Sequence, residues 1–238
     1  MKGKWGVIKL VLALVLVGVL YGFTKELNGD RKLTGVQVEF TDENSPFITL
    51  SAVYKLLIQK EDSVTSISKE TLVLKEMESR LLENPMVRNA QVFVTVDGEL
   101  GAKIEQRNPI GRVAGSPNYY VDEDGKKMPL SKVFAARVPL ITGTSKNNFT
   151  ELTPLLLKLR SDEFMNQSVV GLHRNRDGTV ELRMRKQGFK VFFGKIEGID
   201  KKFQNYKAFY KKAKKDKKLT GYNLVNLQFG NQVVATNK

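Results

Sequence analysis

The sequence contains no cysteine, one histidine and one tryptophan. Without cysteine the chain can form no disulfide and offers no thiolate as nucleophile or metal ligand, so packed cores have to stabilise it. His173 is the single histidine, which excludes histidine clusters. It is also the only histidine that could act as the base beside a catalytic nucleophile. Because His173 lies between Leu172 and Arg174 in a predicted strand, we interpret it as a structural or surface residue.

Glycine-rich phosphate loops are lacking as well. No predicted strand is followed by G-x-x-x-x-G-K or G-x-G-x-x-G. The acidic cluster Asp122-Glu123-Asp124 lacks the alternating ligands and the terminal glutamate of an EF-hand, so we interpret it as a turn. The sequence therefore predicts no catalytic residues, no metal and no cofactor, and it favours a binding protein over an enzyme.

One long apolar run is present, from Val7 to Phe23, and a charged residue interrupts it only at Lys9. Its length is near the lower limit of about 17 to 25 residues for a membrane-spanning helix. Lysines precede the run without any acid, whereas mixed charges follow it, so the positive-inside rule predicts a cytoplasmic N-terminus and an extracytoplasmic remainder. A cleaved signal peptide is the alternative, but the junction after Leu20 lacks the small-x-small pattern that cleavage requires.

Five segments are predicted from these features. A short cytoplasmic tail (1–6) leads into the transmembrane helix (7–23) and a linker (24–33). The exported part then divides into a first domain, 34–112, and a second domain, 113–238.

Lysine and arginine exceed aspartate and glutamate by 39 to 25, which gives a net charge of +14. Such an excess would favour nucleic acid as the partner of a soluble protein, but the predicted export argues against it. Anionic lipid, an acidic wall polymer or an acidic protein face are the remaining partners, and a basic surface that keeps the domain soluble is the alternative.

The densest charge lies on a helix predicted over 201–217. Its apolar side, which we expect to pack on a sheet, carries Phe203, Tyr206, Tyr210 and Ala213. The lysines on its other sides, Lys202 among them, are predicted to face solvent. The candidates for contact with an anionic surface are Lys207, Lys211, Lys214 and Lys215.

The first exported domain is predicted to have the order β-α-α-β-β. Val36, Val38 and Phe40 alternate with polar residues as in a half-buried strand. Two helices follow, with Thr49 and Ser68 as caps, and the second helix ends before Pro85. The last two strands form a hairpin around Asp97-Gly98. A unit of this size packs both helices on one face of the sheet.

The second domain is predicted to be rich in strands, with helices at 154–159 and 201–217. The strand candidates are 119–122, 138–141, 169–173, 179–184, 189–193, 224–229 and 232–236.

Five short segments occur in an order that resembles the FtsQ/DivIB family of bacterial cell-division proteins: Asn84–Ala90, Glu105–Ile110, Tyr120–Pro129, Val138–Gly143 and Leu224–Val234. The first two resemble the end of that family's POTRA module, and the others resemble strands of its β domain. The fold class predicted is α+β, with an N-terminal transmembrane helix, a POTRA-like β-α-α-β-β module, and a mixed, mainly antiparallel β domain with two helices.

The resemblance implies a non-enzymatic divisome scaffold that helps septum assembly, spans the bacterial inner membrane once and lies at the division site, with most of the chain in the periplasm. In that family the C-terminal strands are implicated in binding the coiled-coil proteins FtsB and FtsL, and the POTRA module in recruitment. The implied partner-binding residues are Tyr222, Leu224, Asn226, Gln232, Val233, Val234 and Ala235. The implied recruitment surface comprises Val92, Val94, Lys103 and Glu105.

Strand addition is the binding mechanism that the sequence favours. The last two predicted strands leave a sheet edge whose free N–H and C=O groups a partner strand can complete, with 232–236 as the candidate edge. Val225, Leu227 and Phe229 are predicted to point into the core. Two alternatives stay open: a POTRA-containing envelope protein of translocation or outer-membrane assembly, and a periplasmic wall-modifying enzyme.

Overall fold

The computed structural model describes residues 2–29, 33, 35–42, 46–58, 71–143 and 149–238. The first helix, α1, is Lys2–Gly29, and it contains the whole of the predicted span 7–23. The large apolar side chains described on α1, from Trp5 to Phe23, are exposed. No helix among the described residues has the length and apolar character needed to cross a membrane.

Contacts between residues divide the chain into two compact units. The first comprises 1–43 and 48–106, and the second comprises 44–47 and 107–238. The predicted boundary after Arg112 differs from this division because Pro109–Val113 forms a strand whose partners all lie in the second unit.

The first unit has the predicted order of elements. These are β1 (Gly35–Phe40), α2 (Leu50–Leu57), α3 (Thr71–Glu83), β2 (Val87–Val94) and β3 (Glu99–Gln106). Strand β3 is central, parallel to β1 and antiparallel to β2. Thr49 caps α2 as predicted, since its Oγ1 accepts a hydrogen bond from Ala52 N at 3.2 Å. The predicted cap Ser68 lies outside the described residues.

One face of this small sheet carries the core of the first unit. Helix residues such as Val53 and Leu81 are buried there together with Ala102 and Ile104 of β3. On the other face the ring of Phe93 lies over Gly101, where a Cβ atom would come within 2.3 Å of it. The glycine therefore makes room for the ring on the outer face of the sheet.

The second unit is built on a nine-stranded sheet. In chain order its elements are β4 (Pro109–Val113), β5 (Tyr119–Asp122), β6 (Lys127–Pro129), β7 (Leu140–Thr142), α4 (Thr153–Ser161), α5 (Glu163–Ser168), β8 (Val169–Arg174), β9 (Val180–Met184), β10 (Lys190–Gly194), α6 (Ile199–Lys215), β11 (Tyr222–Asn226) and β12 (Val234–Asn237). The strand order is β12-β11-β10-β9-β8-β7-β4-β5-β6. The sheet is mixed: β7 is parallel to β4 and β8, β10 is parallel to β11, and the other pairs are antiparallel.

The described part of the second unit has three α-helices and a short 3-10 helix, Leu219–Gly221, whereas two helices were predicted. Asp162 separates α4 from α5 because its backbone is extended and its carboxylate accepts a hydrogen bond from Met165 N at 3.1 Å. The same residue therefore ends one helix and caps the next. Both helices, together with α6, contribute side chains to the core on one face of the sheet.

Helix α6 packs through the predicted apolar side, with Phe203, Tyr206 and Ala213 buried and Tyr210 half-buried. The prediction that Lys202 faces solvent is wrong. Its side chain is buried over the ring of Phe193, 4.5 Å from the centroid, and donates to the carbonyl of Lys195 at 2.7 Å. Burial lowers the pKa of Lys202, and the nearby charge of Glu197 opposes that change in part.

The strand predicted over 224–229 begins and ends earlier, as β11. Asn226 accepts a hydrogen bond from Gln228 N at 2.9 Å through its side chain, and the chain leaves the β11–β12 ladder there. Val225 and Leu227 are buried as predicted. Phe229 is not, because it lies beyond the strand, and 40% of its surface is exposed.

Candidate partner-binding edge

Strand β12 forms one end of the nine-stranded sheet. It pairs with β11 on one side, and within the described residues no strand pairs with its other side. Residues Gln232 and Val233, predicted to belong to this strand, precede it. The sheet therefore ends in a short strand of four residues with an unpaired side.

The direction of the backbone N–H groups follows from a bond just beyond the strand. Lys238 N donates to Gly221 O at 2.9 Å, towards β11. Successive N–H groups of a strand alternate in direction, so those of Ala235 and Asn237 point away from β11. The register shift in this pair arises from an extra residue in β11, so it does not interrupt the alternation within β12. Two outward N–H groups are thus available to a further strand.

The inner side of the last hairpin packs on the core. Tyr222, Val233 and Ala235 are half-buried against it, and the ring of Tyr222 lies 5.2 Å from that of Phe209. These three predicted partner residues therefore pack against the core and hold the last hairpin in place. Only the exposed part of each side chain could contact a partner.

The outer side of the hairpin carries the remaining predicted residues. Asn226 of β11 pairs with Val234 of β12. Leu224, two residues before Asn226, lies on the same face of β11 and pairs with Thr236. The side chain of Val234 is 42% exposed, while those of Leu224 and Asn226 are half-buried. Gln232 is exposed in the short segment between the turn at 230–231 and β12.

Phe192 extends this outer surface and was not predicted as part of it. It lies on β10 opposite Asn226, next to the last hairpin, and is half-buried. The signal was available in the sequence, because Phe192 and Phe193 are neighbours in a strand and must point to opposite faces. Phe193 is fully buried in the core, so Phe192 is the one that faces outward.

A groove of about 690 Å³ adjoins the inner side of the edge. Its apolar lining includes Phe209, Tyr222 and Val233, and its basic lining includes Lys212 and Lys217. Side chains of an added strand that point to the inner side of the sheet would enter this groove.

The predicted recruitment surface is not a single surface. Val92 is 7% exposed and belongs to the core of the first unit, and Val94 packs against that core. Lys103 is exposed on the opposite face, and Glu105, half-buried, accepts from Arg88 Nη1 at 2.9 Å. Strand alternation explains the separation, since Ala90, Val92 and Val94 of β2 point towards the helices and Phe93, 47% exposed, points outward.

The predicted lysines lie on the exposed side of α6. Lys211, Lys214 and Lys215 are exposed, whereas Lys207 is half-buried and donates to the carboxylate of Asp162. Burial alone would raise the pKa of Asp162. The hydrogen bonds from Lys207 and from Met165 N outweigh that effect and hold the pKa below its usual value.

The acidic cluster forms a turn, as predicted. The buried carboxylate of Asp122 accepts hydrogen bonds from Arg107 Nη1 at 2.6 Å, from Asp124 N at 3.0 Å and from Lys126 N at 2.7 Å. These bonds fix the β5–β6 connection and occupy both oxygens of the carboxylate.

His173 is exposed on the outer face of the sheet, with Nδ1 2.9 Å from Thr142 Oγ1. It borders a cavity of about 420 Å³ that Arg183 and Lys190 also line. No group of three or more potential metal ligands occurs in the part of the chain that the structure describes.

Comparison with known proteins agrees with this architecture. A family model described as "FtsQ/DivIB, C-terminal related" matches residues 108–236, more than half of the chain and nearly all of the second unit. The chain belongs to the FtsQ/DivIB family. A model of the POTRA-like domain matches residues 31–105, which correspond to the β-α-α-β-β module of the first unit. A search among curated proteins finds no match.

Membership in the FtsQ/DivIB family makes the chain a division-related scaffold of the division site, where the family interacts with other division proteins. FtsQ/DivIB and POTRA-like domains are non-enzymatic scaffold domains. The resemblance seen in the sequence is confirmed.

Proposed function

We propose that this protein is a non-enzymatic, membrane-anchored scaffold of the divisome that captures FtsB- or FtsL-like coiled-coil proteins by strand addition to β12. The observation that carries the proposal is that, among the described residues, no strand pairs with the outer side of β12 at the end of the nine-stranded sheet. The family relationship supports the choice of division proteins as partners.

Main-chain hydrogen bonds provide the affinity in this mechanism. The N–H groups of Ala235 and Asn237 and the carbonyls beside them bond to the partner strand. Side chains on the outer face give selectivity, because Phe192, Leu224 and Val234 form an apolar surface beside the edge. An added strand that carries an apolar residue at the matching position buries that surface.

Helix α1 is the proposed anchor. It has 28 residues, and its described apolar side chains are exposed over the run that ends at Phe23. An apolar surface of that extent on an isolated helix needs a lipid or protein environment. No helix among the described residues is by itself long and apolar enough to cross a membrane, so this proposal rests on the apolar run 7–23 and on the lysines that precede it. We propose that α1 crosses the inner membrane once, with the N-terminus in the cytoplasm and the residues that follow α1 in the periplasm.

The first unit is the proposed recruitment module. Its outer sheet face, with Lys103 and Glu105, is the surface that a recruiting protein contacts. Val92 and Val94 act in this role only through the packing that holds β2 in place.

The test of strand addition is the substitution Ala235→Pro. Proline removes an outward N–H and leaves the β11–β12 bonds intact, a position at which edge strands tolerate it. We expect the affinity for the FtsB-type protein of the same cell to fall by about tenfold or more. Affinity is measured with the full chain in detergent micelles by biolayer interferometry.

The control is Ala235→Ser, which changes the side chain and keeps the N–H group. It should bind as the parent does. A fluorescent fusion of either variant should reach midcell, because the first unit is the proposed recruitment module. Ala235→Ser should support division, whereas Ala235→Pro should not. Unchanged capture by a folded Ala235→Pro protein would contradict strand addition at this edge.

A further inference from the structure

Helices α5 and α6 form a surface that strand addition does not use. The rings of Phe164 and Tyr210 meet edge to face, 5.2 Å between centroids. Around them lies an open groove of about 610 Å³, and its other lining residues are all lysines: Lys207, Lys211, Lys214 and Lys215. We call these six residues the lysine surface.

The positive charge of the lysine surface is only partly balanced. Lys207 is bound by Asp162. The three other lysines are exposed, and in the part of the chain that the structure describes no acidic residue lines the groove. Their spacing along α6 places them on one side of the helix, so their charges act together on anything that approaches that side.

The rings of Phe164 and Tyr210, which line the groove between the lysines, distinguish the lysine surface from an ordinary solvated helix face. A solvated face needs lysines but no apolar groove between them. Lipid interfaces favour the combination that is present, in which aromatic rings lie at headgroup depth and lysine stems extend so that their ammonium groups meet phosphate. The groove is open and shallow, and flexible lysines border it, which suits a fluid surface of many phosphates better than one shaped ligand.

We propose that the lysine surface lies against the anionic lipid headgroups of the membrane that holds the chain. The proposal rests on the anchor proposed for α1, because an anchored chain presents the surface to lipid at high effective concentration. Each lysine near an anionic bilayer strengthens such a contact by about fivefold, so three lysines together contribute on the order of a hundredfold.

A single fluorophore reports this contact directly, since the chain has no cysteine. Ala208 is exposed one turn before Lys211 and Lys212, and Ala208→Cys accepts the environment-sensitive dye NBD. The labelled full chain is reconstituted in nanodiscs of phosphatidylcholine alone or with phosphatidylglycerol. We expect a blue shift and a several-fold rise in NBD emission only with phosphatidylglycerol, and loss of both at 1 M salt by screening.

The deciding variant combines Lys211→Gln, Lys214→Gln and Lys215→Gln. It should abolish the NBD response in anionic nanodiscs and leave capture of the FtsB-type protein unchanged. A matched control, Lys126→Gln with Lys132→Gln and Lys186→Gln, removes the same charge from exposed lysines elsewhere in the second unit and should keep the response.

Three results would overturn the membrane contact. One is an identical NBD spectrum in neutral and anionic nanodiscs that hold the chain. A second is equal loss of the response in the variant and its control. A third is a full response to soluble polyphosphate in neutral nanodiscs, which would assign the surface to a phosphate polymer. Failure of the chain to stay with nanodiscs at all would contradict the anchor instead, and the same dye with added anionic vesicles then decides the lipid contact.

Discussion

The two ends of the nine-stranded sheet differ in how they are protected. At one end, β6 has three residues, finishes with Pro129 and buries Met128. At the other end, β12 has four residues, no proline, and an exposed Val234. Both strands are short, but only one of them carries the features that prevent pairing with another chain.

The outer face of the sheet shows the same difference. Beside β6, Tyr120 is buried on the outer face, its ring meets that of Phe47, and its hydroxyl accepts a hydrogen bond from Ala136 N at 3.1 Å. Phe134 packs edge to face on Phe47, with centroids 5.0 Å apart. Beside β12, within the described residues, Phe192 and Val234 keep part of their surface open.

Other parts of the second unit therefore cover the β6 end of the sheet, whereas among the described residues no strand pairs with the outer side of β12. In the second unit, residues 131–136 and Phe47 together cover the sheet beside β6. The strand addition that we propose for β12 would use the end of the sheet that the described residues leave uncovered.

The largest expected effect concerns the covered end. Phe47→Ala removes a buried ring that contacts two others, and it should lower the free energy of unfolding of the second unit by about 3 to 5 kcal/mol. Val234→Ala at the open end removes a half-exposed side chain and should cost less than about 1 kcal/mol. Hydrogen exchange of the β5 and β6 amides in the full chain measures the loss of stability in Phe47→Ala. Hydrogen exchange of the β11 amides measures the loss in Val234→Ala. Similar losses from both substitutions would show that the two ends are equally covered.

A smaller effect is expected at Ser131. Its hydroxyl donates to Phe47 O at 2.8 Å and accepts from Val133 N at 3.2 Å, so it holds the covering segment in place. Ser131→Ala should cost about 1 kcal/mol. The shift in urea midpoint checks this value, with Val133→Ala as the control because Val133 is exposed and makes no comparable contact through its side chain. An unchanged urea midpoint for Ser131→Ala would show that this hydroxyl does not stabilise the covering segment.

The smallest effect is expected at Pro129. Pro129→Thr restores a backbone N–H on the short strand β6, and we expect a change in stability below about 0.5 kcal/mol. We also expect no self-association, because Phe47 and residues 131–136 still cover the sheet beside β6. Sedimentation of the full chain in detergent tests this. Concentration-dependent dimers of Pro129→Thr would mean that the proline alone keeps this edge closed.

The sequence was sufficient to predict the helices and strands of the first unit and most strands of the second unit. Local signals carried these predictions: alternation at Val36 and Val38, a cap at Thr49 and a turn at Asp97-Gly98. The order of the nine strands was beyond local signals, because β7 is inserted between β4 and β8 by pairings that depend on distant residues.

The errors at individual residues have similar causes. Lys202 was assigned to solvent because lysine seldom is buried, but a carbonyl and an aromatic face satisfy its charge. Phe229 was assigned inward by extending an alternation that Asn226 ends. Val92 was assigned to a surface although its own strand alternates, and that error could have been avoided from the pattern alone.

The parallel pairing of β10 with β11 has a consequence for folding kinetics. Because the two strands are parallel, the chain has to cross over between them, and α6 is that crossover. Strand β11 is separated from β10 in the chain by the whole of α6, and β12 pairs with β11. We therefore expect the last hairpin to form late, since its contacts with the rest of the sheet are distant in sequence. A newly made chain then lacks the β12 edge until the rest of its β domain is in place. If a partner binds by the proposed strand addition, it therefore selects subunits that have finished folding.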